Sequence, residues 1–395
     1  MNFLKTTSCL LLFFPTLTFA KDLKLQTVKI LSGSETYQEP GSIYQISSEE
    51  IENKQTTNAH EILKDIPGVS IQQEDGLGLR PNIGLRGTHP HRSKKITLLE
   101  DGVLIAPAPY SAPAAYYFPL MSKITGVEVY KGPSSVKYGP NSIGGALNFL
   151  TRDFKDELTT NVNYSFGSYN THKIGAWNSG KHKRLNWLIE ANRIQSDGFK
   201  NLPSSGDTGF DKNDILLKTR YTFNSDKERS IDFKFSWSDE TSNETYLGIS
   251  QDDFSADPFQ RYEASRADLL EWEHKQYQLK FFNEWSSRVF TDFSIYRNEF
   301  TRKWDKLNGF ADNTIDVRNV LNAPIGQNKD FLDVIKGLKD SSPSETLRFG
   351  INDRDYISQG ISADTRITLL EKGQTRNHLD VGLLYHFDEI ERSHL

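Results

Sequence analysis

From about residue 155 onward the chain repeats one pattern. Ile231, Phe233, Phe235 and Trp237 alternate with Asp232, Lys234, Ser236 and Ser238, the period-two signature of a strand with one apolar face. Leu379, Val381, Leu383, Tyr385 and Phe387 do the same against Asp380, Gly382 and His386. Similar runs near 158–167, 171–178, 184–195, 212–223, 275–284, 289–301 and 355–370 bring the expectation to about nine strands. Residues 22 to about 152 lack this uniformity and mix short segments of different kinds, so a domain boundary is expected near 152.

The connections between the runs alternate in length. Turns near 179–183, 224–229, 285–288 and 371–374 are short, whereas 196–211, 238–268 and 302–354 are long; the first connection on the long side, 167–171, is short too. A soluble sandwich can also alternate apolar and polar positions, but long connections on one side and short turns on the other are the pattern of an outer-membrane barrel. A structureless loop as long as 302–354 is uncommon in a compact soluble domain. Trp177, Trp187, Trp237, Trp272, Trp285 and Trp304 fall at or near strand ends, where amphipathic rings suit a membrane interface.

The beginning of the chain reads differently again. Lys5 supplies a positive charge, Leu10 to Phe14 is unbroken apolar sequence, and Thr18-Phe19-Ala20 offers a small-residue cleavage site, so residues 1–20 read as a secretory signal peptide. The apolar run is well short of the ~20 residues that span a bilayer. The single cysteine, Cys9, would leave with the signal, so disulfides cannot staple the mature chain. No later segment reaches ~18 consecutive apolar residues, which excludes helical spans. A mean hydropathy of -0.58 with 12% aromatics suits a barrel whose strands are half polar. The net charge of -5 and the lack of a basic stripe argue against a nucleic-acid partner.

Two stretches of the first region carry a recognisable pattern: Asn82-Ile83-Gly84-Leu85-Arg86-Gly87 through Leu98-Leu99-Glu100-Asp101-Gly102, and Val127-Glu128-Val129-Tyr130-Lys131-Gly132-Pro133 through Tyr138-Gly139-Pro140 to Gly144-Gly145-Ala146-Leu147-Asn148. They resemble the plug domain of TonB-dependent outer-membrane receptors. Ala59 to Val69 fits the short helix that opens such plugs, with Pro67-Gly68 as its stop. A narrower resemblance to the ferric dicitrate receptors of the family lies in Arg86-Gly87 to Arg92, Asp101-Gly102, Ala106 to Tyr110, Tyr246 to Ile249 and Asp257 to Tyr262.

The resemblance implies an architecture of 1–20 signal peptide, 21–41 TonB-box segment and linker, 42–152 α+β plug, and 153–395 the N-terminal part of a transmembrane β-barrel of the 22-stranded type. About nine strands cannot close around a plug, so the chain is expected to continue or to be a fragment or remnant. The implied function is energised import of a ferric chelate, ferric dicitrate foremost, across the Gram-negative outer membrane. The expected partners are TonB with its inner-membrane energising complex, the chelate, and membrane lipid. Another siderophore, haem or cobalamin would fit the same machine; a passive porin or surface protein is the reading from a different class.

Candidate site residues follow. Gln26-Thr27-Val28-Lys29-Ile30 stands where the family has its TonB box, an extended peptide able to add a strand to a partner's sheet. His89 and Arg92 on the plug, with Tyr246, Arg261 and Arg266 from a long loop, are the candidates for a carboxylate-rich cargo, since guanidinium groups clamp carboxylates bidentately. Arg86 and Lys131 are the expected plug–barrel contacts, Lys131 standing where many plugs have Arg, which replaces a fork by a single ammonium. His89 and His91 lack further ligands in sight, so no resident metal is expected. Nor does any nucleophile or phosphate-loop pattern have the right spacing for a catalyst; the iron is cargo and no cofactor is expected.

Overall fold

The structure is a computed structural model that describes residues 42–394 apart from 55, 57, 244, 373 and 374. The signal peptide and the Gln26–Ile30 segment therefore lie outside the described residues.

The plug is built on seven strands: β1 (Ser42–Ile46), β2 (Val69–Gln73), β3 (Pro81–Leu85), β4 (Ile96–Glu100), β5 (Val103–Leu104), β6 (Ile124–Lys131) and β7 (Gly145–Thr151). Its main sheet has the order β1-β6-β7-β4-β5, with β4 parallel to β7. β2 and β3 form a separate hairpin. Strand β4, Ile-Thr-Leu-Leu-Glu, is buried along its whole length, which is why its sequence does not alternate. The expected opening helix is present as α2 (Ala59–Leu63), after α1 (Ser48–Lys54). The Asn58 side chain accepts a bond from His60 N at 2.9 Å, an N-cap, and the chain turns at Gly68 (φ 80°). Asp101 (φ 49°) and Gly102 (φ 83°) make the tight turn between β4 and β5, a two-residue hairpin of the kind an Asp-Gly pair favours.

The remaining strands are β8 (Thr159–Gly167), β9 (Thr171–His182), β10 (Leu185–Ser196), β11 (Phe210–Thr222), β12 (Arg229–Ser242), β13 (Leu269–Ser286), β14 (Val289–Phe310), β15 (Leu347–Lys372) and β16 (Thr375–His394). They form one nine-stranded sheet in sequence order, open between β16 and β8, and every neighbouring pair is antiparallel. This is an open, partial barrel around the plug. On β12 Ile231 and Phe233 face outward while Lys234, Ser236, Ser238 and Glu240 are buried against the plug. No helix among the described residues is long and apolar enough to cross a membrane.

Two expectations change. The 302–354 loop is shorter, because β14 runs on to Phe310 and β15 starts at Leu347; between them lie α4 (Val317–Asn322) and α5 (Gln327–Lys336), after α3 (Gln251–Ala256) in the preceding long loop. At ~9–11 residues per crossing, the 22 residues of β14 extend far past the hydrocarbon. There the outer face no longer needs apolar side chains, and the signal that marks a strand fades. Trp272 and Trp304 are not interface residues either: they occupy inward positions and join the core that packs on the plug. Trp285, 58% exposed, does face outward.

Candidate functional site

The long connections between strands lie at one end of the sheet, and there the plug offers its loop after β3. Arg92 sits in a one-turn helix, His91–Ser93, with φ 54°, held by a bond from its backbone N to Asn82 Oδ1 at 2.5 Å. This left-handed kink aims the guanidinium out of the plug. One of its terminal nitrogens donates to the Tyr116 hydroxyl, and the other donates to the Tyr246 hydroxyl at 2.5 Å. Tyr246, from the loop after β12, stacks on Trp304 of β14 with centroids 4.3 Å apart.

Two more cations complete the group: Arg302 lies 4.4 Å over the Tyr116 ring and Lys306 4.6 Å over the Tyr246 ring. Arg92, Tyr116, Tyr246 and Trp304, with Arg80 and Glu74, line an opening of about 370 Å³ counted to its mouth. Arg302 Nε and Trp304 Nε1 are buried there without a hydrogen-bond partner among the described residues. A buried donor left unpaired is costly, so an acceptor placed beside these two groups would be favoured. Burial pushes the Tyr246 hydroxyl up against the opposing pull of Arg92.

The structure thus brings Arg92 and Tyr246 together and leaves the other three expected ligands elsewhere. His89 is exposed, its Nδ1 accepting the His91 backbone N–H at 3.1 Å. Arg261 is buried and spends its guanidinium inside its own loop, on Ser265 Oγ at 3.0 Å, Asn243 O at 2.6 Å and Ser265 O at 2.7 Å. It fastens the loop and does not face the opening, a correction to the expected clamp. Arg266 is a surface group 3.3 Å from Glu263. Tyr116, Arg302 and Lys306 are not among the residues expected here, and Trp304, expected at the membrane interface, belongs to this group instead. Arg302, Trp304 and Lys306 occupy every second position of β14, continuing the inward face that Ser294, Tyr296, Asn298 and Phe300 occupy earlier in the strand.

The expected plug–barrel contacts also move. Arg86 is exposed and forms no side-chain hydrogen bond or ion pair among the described residues. Lys131 donates to Pro67 O at 2.7 Å, within the plug. The seat is instead a buried ionic network at the β4–β5 hairpin. Lys123 reaches Asp214 Oδ2 at 2.9 Å and Glu100 Oε2 at 3.3 Å. Lys234 bonds Glu100 Oε1 and Asp101 Oδ2, both at 2.7 Å. Arg152 pairs with Glu190 at 3.1 Å, and Arg80 pairs with Glu240.

Burial alone would raise the Glu100 carboxyl, but the Lys123 and Lys234 ammonium groups outweigh it and hold it at about 2. Asp101 is likewise held well below its ordinary range, burial again being outweighed by Lys218 and Lys234. Burial would lower Lys123, yet Asp214 and Glu100 hold it well above the ordinary value.

Residues 35–146 match the family TonB-dependent Receptor Plug Domain. Over 173 residues, 42% of this chain, the sequence is 32% identical to the vitamin B12 transporter BtuB of Vibrio vulnificus, covering 27% of that protein. The fold is similar to the unliganded ferric citrate transporter FecA, with a TM-score of 0.69 and 19% identity over 91% of this chain and 49% of that one. It is also similar to the Pseudomonas aeruginosa pyoverdine receptor FpvA, with a TM-score of 0.66 and 14% identity over 90% and 47%. The chain spans about half the length of these solved structures. Residues 35–146 thus match the plug domain of TonB-dependent receptors, and the nine strands after them share the fold of the solved outer-membrane receptors.

Proposed function

We propose that the chain serves energised, TonB-dependent import of an anionic ferric chelate, ferric dicitrate foremost, and that the chelate first binds the opening above the plug. The observation that carries this reading is the convergence of Arg92, Arg302 and Lys306 with Tyr116, Tyr246 and Trp304. A ferric citrate complex presents carboxylates that accept from guanidinium and ammonium donors, and its bulk can lie against the rings. Cobalamin, the cargo named for the BtuB relative, has far less need of three cations, so it stands second.

Titration of Trp304 fluorescence with ferric dicitrate and, separately, with cyanocobalamin tests the choice. Quenching by ferric dicitrate that Arg92→Gln weakens about tenfold or more supports the reading, since a bond to a charged group is worth roughly 1.5–3 kcal/mol. Quenching by cyanocobalamin alone sinks it. The TonB contact is assigned to Gln26–Ile30 by position, and Val28→Pro, which removes a backbone donor, should abolish energised uptake while leaving binding intact. Uptake that persists at the wild-type rate rejects that segment as the contact.

A further inference from the structure

Lys218 on β11 and Lys234 on β12 stand directly opposite one another, both pointing at the plug. Like charges in that position repel, so a reason is needed for the pair. Neither has an ion-pair partner on the barrel among the described residues. Their ion-pair partners belong to the plug hairpin: Asp101 Oδ2 at 3.3 Å from Lys218 and 2.7 Å from Lys234, and Glu100 Oε1 at 2.7 Å from Lys234. A third ammonium, Lys280 on β13, donates to the Asp101 carbonyl at 2.8 Å. Arg220, by contrast, is already satisfied on the barrel by a fork to Asp232 at 2.8 and 2.6 Å.

The three lysines border a cleft that Asp153, Arg220 and Asp232 also line. Lys234 lies eight positions along β12 from Ser242, which pairs with Leu270, itself opposite Trp304. At ~3.3 Å per residue the cleft therefore lies roughly 25 Å along the strands from the outer opening.

Any displacement of the hairpin would part these lysines from the plug's carboxylates and leave clustered like charges facing one another across the strands, which is unfavourable. An arriving polycarboxylate would restore the balance. We propose that Lys218, Lys234 and Lys280 form a second anion site on the barrel wall, filled at rest by the plug's own Asp101 and Glu100, which the cargo's carboxylates replace as the hairpin leaves. This rests on the reading of an anionic cargo and adds where that cargo goes next.

Equilibrium dialysis of radiolabelled citrate against the detergent-solubilised full chain tests it. Asp101→Asn keeps the side-chain shape and suits the left-handed backbone at this position (φ 49°), which Asn adopts readily. This variant should bind one more citrate per chain than wild type, with an affinity that falls as salt rises. Adding Lys234→Gln should return the count to the wild-type value. Equal counts for wild type and Asp101→Asn overturn the proposal. If Asp101→Asn does not fold, Glu100→Gln carries the same expectation, and no gain there overturns it equally. The gain is read over whatever wild type binds, so a wild type that ignores ferric dicitrate counts against the outer site alone.

Discussion

At the scale of single residues, the two sites differ in how tightly the chain satisfies its own charges. Beside the outer opening, buried donors on Arg302 and Trp304 have no partner among the described residues; in the seat, Glu100 and Asp101 are saturated by lysines. A substitution should act differently in each. Arg302→Gln should weaken ferric dicitrate binding about tenfold with little change in stability, because that side chain has unfulfilled capacity. Lys234→Met should leave two buried carboxylates short of a cation and cost about 3–5 kcal/mol, read by denaturant unfolding of the plug. A loss below about 1 kcal/mol would show that Lys123 and Lys218 suffice. Of the ligands expected from the sequence, only Arg92 and Tyr246 belong to these sites. Arg261 has the right chemistry but is consumed by its own loop, and which donors a loop uses internally is not written in residue type.

Elements were more legible than residues. The nine barrel strands stand where alternation places them, because each must show lipid an apolar face and its period of two survives any local context. Their outer ends are the least legible part: the alternation marks β14 only to Thr301, whereas the strand runs on to Phe310. The short helices α4 and α5 carry no long-range pattern in the sequence because their apolar positions serve a small local core, not a membrane or a bundle. Phe331 of α5 meets Phe310 of β14 edge to face with centroids 4.7 Å apart, next to Val320 and Ile335. Phe331→Ala should cost about 3–5 kcal/mol within this cap. Hydrogen exchange should show faster opening of 311–346 with β9 to β13 unchanged, whereas acceleration throughout the strands would mean that the cap and barrel unfold as one unit.

For the whole molecule, acidity offers a test of the seat. The Glu100 carboxyl is held at about 2 from an ordinary 4.5, so its contribution is complete above pH 4.5 and is lost progressively as pH falls towards 2. Plug release, followed by protease access to β4–β5, should therefore begin only below about pH 4.5 and advance towards pH 2; release centred near neutrality would point to other groups. The same inner wall has a mechanical meaning. Ser236 and Ser238 on β12, Gln276 and Gln278 on β13 and Asn298 on β14 are groups that water can serve as well as the plug can. A stopper seated on such a wall resists at a few ionic points and slides elsewhere, since each contact broken is one that solvent remakes. Pulling on one end of the chain can then unload those points in succession, and the force required is set by the strongest of them, with the total contact area of secondary importance.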